Sequence, residues 1–190
     1  MSWTRTIPPQ AADGPVGAVF ERIARLHPSR KVGNLWQSCA PDPAALDALF
    51  TLVRTLMDEP APLTHAQAEA IVVVVSATNG CSYCVTHHGP RLATALGNEP
   101  LARVVARDYR EADLPARDRV LLDYAVALTC EPAERTEEDV ERLREYGFDD
   151  LAILKATEIA ALFNLVNRLT GGLGVKLEDG VAKWESGARG

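Results

Sequence analysis

Four reactive side chains fall within one stretch of this 190-residue chain, Glu69 to His88, reading EAIVVVVSATNGCSYCVTHH. On a helix, Cys81, Cys84 and His88 occupy positions i, i+3 and i+7 and share one stripe. Two cysteines three apart at a helix start can close into a disulfide with little backbone movement. The same location favours thiolate over thiol, because unpaired N–H groups and the helix dipole stabilise negative charge. His88, one turn beyond Cys84, is placed to take a thiol proton, a common route to an activated nucleophile. Glu69 is the odd residue of the preceding apolar run, flanked by Ala68, Ala70 and Ile71. Buried alone it would be costly, so it must reach solvent or find a partner. Two partners are open to it: His65 four residues earlier on a surface, or His88 if two helices fold back at Gly80. His87, three residues from Cys84, reads as a solvated or accessory histidine. Tyr83 could donate a hydrogen bond near the sulfurs or simply pack.

Rival chemistries fare less well. Covalent haem requires His directly after the second cysteine, and Val85 stands there. A structural zinc site usually takes a second ligand pair, which Cys39 and Cys130 do not supply. Each of those two lies alone and reads as a small buried hydrophobe. A single metal-binding or redox-sensing cluster of Cys81, Cys84, His88 and Glu69 remains chemically open. A thioredoxin-like site would need a βαβ context that this chain lacks.

The elements that must aim these groups are helical. Thr64 with Gln67 makes a capping box before a helix over 65–78, and Asn79-Gly80 stops it, both tolerating a left-handed helix end. Ile71 to Val75 is β-branched, yet the apolar stretch runs on through Ser76-Ala77 and no strand partner is in view. A second helix restarts near Cys81 and runs to Leu96, with Gly97 as its stop and Pro90 inside it expected to kink or interrupt its hydrogen-bond ladder. Before this pair, apolar spacing predicts a helix from Val16 to Leu26, ended by His27-Pro28, and another from Pro43 to Met57. After it come helices at 101–109 and 116–129, one from the Thr136/Asp139 box to Gly147, and a long one from Asp149 or Asp150 to Leu169, closed by Gly171-Gly172. The fold class is all-α. Sliding the chain by 85 residues superposes Thr64 on Asp149 and Asn79 on Asn164, a weak internal echo compatible with a degenerate repeat.

Size and composition suit one domain over 16–175, with an extended N-terminal arm over 1–15 and a polar tail over 176–190 frayed apart from Trp184. Twenty basic against 26 acidic residues leave a net charge of −6, poor for nucleic-acid binding, which needs concentrated positive charge. No apolar run approaches the ~20 residues that span a bilayer, and the N-terminus lacks a signal-peptide core. A cytoplasmic location is the expectation.

The spacing of Glu69, Cys81, Cys84 and His88 resembles the signature of the AhpD-like alkylhydroperoxidases of the carboxymuconolactone decarboxylase superfamily. SATNGCSYCVTHHG and the later LFNLVNRLTGGLGV resemble its peroxidase-related branch in particular, over roughly residues 43–175. The resemblance implies an AhpD-like helical bundle that assembles into homo-oligomers, trimers or hexamers in the main, with a dimer as the smaller option. It implies no cofactor and no metal. It also implies a thiol-dependent peroxidase: Cys84 as peroxidatic cysteine, deprotonated through His88 and Glu69, and Cys81 resolving the sulfenic acid to a disulfide. The substrate would be a hydroperoxide and the reductant an external dithiol. Where the best-known hydroperoxidases carry a further histidine between the cysteines, this chain has Tyr83.

Overall fold

The computed structural model describes residues 2–26 and 31–187. Among these, nine α-helices and three short 3-10 turns form the chain, and no strand occurs. The helices are α1 (Gly14–Leu26), α2 (Asn34–Cys39), α3 (Pro43–Asp58), α4 (His65–Thr78), α5 (Ser82–Leu96), α6 (Glu99–Asp108), α7 (Ala116–Cys130), α8 (Glu137–Glu145) and α9 (Asp150–Gly172). The fold is an all-α bundle, as the periodicity predicts. The expected stop at His27-Pro28 lies outside the described residues.

Two compact units emerge, one of Met1–Arg54 with Leu169–Val181, the other of Thr55–Arg168 with Ala182–Gly190. In the first, the expected stripe of α1 (Val16, Val19, Phe20, Ile23) is buried with Leu46 and Phe50 of α3. Trp36 of α2 meets Phe50 edge-on, with ring centroids 5.5 Å apart. Helix α2 escapes the sequence reading because six residues are too few to show a period. Gly33 precedes it as a cap without a side-chain bond.

In the second unit α4 packs against α5, α6 and α7. Its run Ile71 to Val75 is buried on every side, which explains why those residues lack helical amphipathicity and could pass for a strand: α4 is central rather than peripheral. The Thr64 capping box forms with both bonds, Gln67 N–H to Thr64 Oγ1 at 3.1 Å and Thr64 N–H to Gln67 Oε1 at 3.0 Å. Thr136 N–H likewise donates to Asp139 at the start of α8, and Asp149 Oδ1 accepts from Ala152 N–H at the start of α9.

Helix α5 runs to Leu96 and stops at Gly97 as expected, with Pro90 inside it; the proline ring removes from the ladder the one N–H that would have reached the Thr86 carbonyl. Two expectations are corrected. Cys130 is exposed rather than buried, because it closes α7 just before Pro132 turns the chain. Cys39 is half-buried at the end of α2, and burial pushes its thiol pKa up. The segment after Gly172 is irregular, and Trp184 is buried as expected.

Candidate functional site

The junction of α4 and α5 begins with a helix stop. Asn79 is the last α-region residue, Gly80 takes φ +70°, and Cys81 returns to negative φ, with φ −82° and ψ 84°. Gly80 N–H bonds the Ala77 carbonyl at 3.0 Å and Cys81 N–H bonds the Ser76 carbonyl at 2.8 Å. This is the paired arrangement of a Schellman turn, whose left-handed position glycine occupies without Cβ strain. The backbone of Cys81 is therefore fastened to α4 before α5 begins.

Cys81 caps α5. Its sulfur accepts the Cys84 N–H at 3.4 Å, where Ser, Thr or Asp would ordinarily stand. The two sulfurs lie 2.9 Å apart, the Cys81 thiol donating to Cys84, and both residues are buried. One turn along α5, His88 meets Glu69 of α4, Nδ1 to Oε2 at 2.8 Å. Both residues are 9% exposed, so each supplies the partner the other needs in a dry setting. Glu69 thus bonds His88 across the helix pair and not His65 along its own helix. With Nδ1–H directed at a carboxylate, the neutral ring keeps its lone pair on Nε2. Burial lowers the His88 pKa from its ordinary value; the Glu69 carboxylate opposes that, while Arg91 and His87 add to it. At neutral pH the ring is uncharged and able to accept a proton.

The accessory positions are also placed. The Tyr83 ring tilts against the His87 ring, centroids 4.5 Å apart, with Tyr83 buried and His87 partly so. Sequence reasoning assigned no role to two contacts. Phe163 of α9 meets the His88 ring edge-on, centroids 4.8 Å apart. On the other side of α5, the Trp184 ring lies on Gly89, and the Trp184 backbone N–H donates to Thr86 Oγ1 at 3.2 Å. A buried glycine inside a helix is the signal that such a close approach leaves in a sequence. Among the described residues, no three His, Cys, Asp or Glu side chains gather in a way that could hold a metal ion. No helix among them is long and apolar enough to cross a membrane.

Comparison with known proteins agrees with this architecture. The family model of the carboxymuconolactone decarboxylase family matches residues 43–100, the span from α3 to the start of α6. A peroxidase-related protein from Ralstonia eutropha with an alkylhydroperoxidase AhpD core is 31% identical, with TM-score 0.85 over 94% of this chain and 93% of that one. The chain belongs to the AhpD-like branch of the carboxymuconolactone decarboxylase superfamily. Another peroxidase-related protein, from Silicibacter sp., is 30% identical, with TM-score 0.82 over 93% of this chain and 94% of that one. The debrominase Bmp8 shares the fold at 20% identity, with TM-score 0.71 over 87% of this chain and 85% of that one. No curated protein matches the chain.

Proposed function

We propose that this AhpD-like protein is a thiol-dependent peroxidase that reduces hydroperoxides through Cys84 and Cys81, with Glu69 and His88 as the proton relay. The observation that carries the proposal is the Nδ1–Oε2 bond of 2.8 Å between His88 and Glu69, on a helix whose first turn holds two sulfurs 2.9 Å apart. Family membership with peroxidase-related relatives supports it.

Glu69 holds the imidazole by Nδ1, so that Nε2 takes the Cys84 thiol proton. The Cys84 thiolate attacks the terminal oxygen of ROOH. The O–O bond breaks, and the alkoxide leaves as ROH with the proton that His88 returns. Cys84 is left as a sulfenic acid. The Cys81 thiol then attacks the Cys84 sulfur, forming S–S and releasing water. An external dithiol gives two electrons and two protons to restore the pair. Burial of all four residues keeps the sulfenic acid from wandering to other thiols.

Capping places Cys81 nearer the α5 dipole, so the two sulfurs compete for the attacking role. The test is rapid mixing of each reduced single variant with cumene hydroperoxide, with mass-spectrometric trapping of sulfenic acid. Cys81→Ser should still complete one turnover and retain sulfenic acid on Cys84. Cys84→Ser should react at least a hundredfold more slowly. Full reaction of Cys84→Ser would transfer the attacking role to Cys81, and no reaction of the unaltered protein would remove the peroxidase reading.

A further inference from the structure

Asn164 and Asn167, in the LFNLVN segment of α9, have no part in the chemistry above, yet they place polar side chains on an apolar helix, Asn167 buried and Asn164 partly so. Asn167 is 5% exposed and Ser76, opposite it, is fully buried. Asn167 Nδ2 donates to Ser76 Oγ at 3.1 Å, while its Oδ1 accepts from Asn79 Nδ2 at 2.9 Å. One amide therefore bonds two residues of the Schellman turn, Ser76, whose carbonyl holds Cys81 N–H, and Asn79, which precedes Gly80. Asn79 Nδ2 also donates to Asn164 Oδ1 at 3.0 Å, and Asn164 Nδ2 donates to Thr129 Oγ1 at 3.0 Å. Thr129 lies in this network but touches neither end of the turn.

A buried amide with both donor and acceptor satisfied contributes chiefly by specificity of geometry: its bonds exist in one arrangement of its neighbours and are lost in others. Here that arrangement is the turn that delivers Cys81 to the start of α5. We propose that Asn167 is a positioning residue for the cysteine pair, clamping the turn so that the Cys81 sulfur is held against Cys84 and the disulfide forms readily. This rests on the reading of the pair as redox-active. When the pair is oxidised by glutathione disulfide, two thiols yield two electrons and two protons, one S–S bond forms, and two glutathione thiols are released. Holding the sulfurs together raises their effective concentration, because the ordering cost has been met by the fold. Loosening the turn should therefore weaken the disulfide relative to the dithiol.

The test is equilibration of full-length protein in glutathione buffers, with the oxidised fraction of Cys81/Cys84 read by mass spectrometry. Asn167→Leu should lower the oxidation equilibrium constant at least tenfold, a rise of about 30 mV in reduction potential. Thr129→Val removes a bond from the same network without touching the turn, so it should lower thermal stability and leave the potential unchanged. Asn167→Asp keeps the acceptor for Asn79 and lets the Ser76 hydroxyl donate instead, and should restore most of the potential if Asn167→Leu folds poorly. Equal potentials in Asn167→Leu, Asn167→Asp and unaltered protein, or equal shifts in Asn167→Leu and Thr129→Val, would overturn the positioning role and leave the redox reading standing. An unaltered protein whose pair forms no disulfide at any glutathione ratio would overturn both.

Discussion

Glu69 and His88 illustrate how a residue's chemistry depends on what it is buried with. Burial disfavours the charged form of the His88 imidazole, and the Glu69 carboxylate bonded to it opposes that effect. In the proposed relay Glu69 would therefore act through charge as much as through orientation. Glu69→Gln keeps an oxygen that can accept from His88 Nδ1 but removes the charge that stabilises the imidazolium. The expected result is a loss of about a hundredfold in the rate of Cys84 with hydroperoxide, at the low end of what a positioned base supplies. Stopped-flow measurement of the reduced protein decides it, and an unchanged rate would mean that His88 works without Glu69. Phe163 of α9, edge-on to the same ring, adds an apolar contact from a third helix.

Helix α5 serves two faces. One carries Cys84 and His88; the other carries Thr86 and Gly89, on which Trp184 rests. A Cβ at Gly89 would lie 2.2 Å from the Trp184 ring, far inside contact distance, so the glycine is required by the indole and not by backbone conformation. The Arg103 guanidinium of α6 covers the ring from 4.4 Å, and Gly187 N–H bonds the Ala106 carbonyl at 3.3 Å. The last described residues thus lie along α5 and α6. Gly89→Ala should cost about 1–3 kcal/mol, the usual cost of overpacking, and should expel the segment. Trypsin would then cut after Lys183 several-fold faster than in unaltered protein. An unchanged cleavage rate would show that Trp184 shifts without releasing the chain.

At the scale of the molecule, the buried histidine links stability to pH. Its pKa is lowered in the fold, whereas in the unfolded chain it returns to about 6.5. Below 6.5 the unfolded state binds the proton more readily, so this contribution to stability is fully present above that pH. It falls away as pH drops toward the folded value. Urea titrations between pH 7.5 and 5 (range chosen about the ordinary histidine pKa) should show stability decreasing toward acid. In His88→Gln that part of the slope should vanish. Parallel pH profiles for the two proteins would show that the acid sensitivity comes from other groups.

Sequence alone determined the helical class, because 3.6-residue spacing, the Thr64 and Thr136 boxes and the glycine stops are local signals with local causes. It also singled out Cys81, Cys84 and His88, since spacing on one helix fixes which side chains share a face, and Glu69, as the one carboxylate in the apolar run before them. It could not decide whether Glu69 joins His65 or His88, because that depends on α4 and α5 folding back on each other. Nor could it assign Phe163, Asn167 and Trp184, whose partners lie 75 to 98 residues away along the chain (from the numbering of His88, Ser76 and Thr86). Contacts between distant residues are set by packing of whole helices, and only the tertiary structure brings that packing into being.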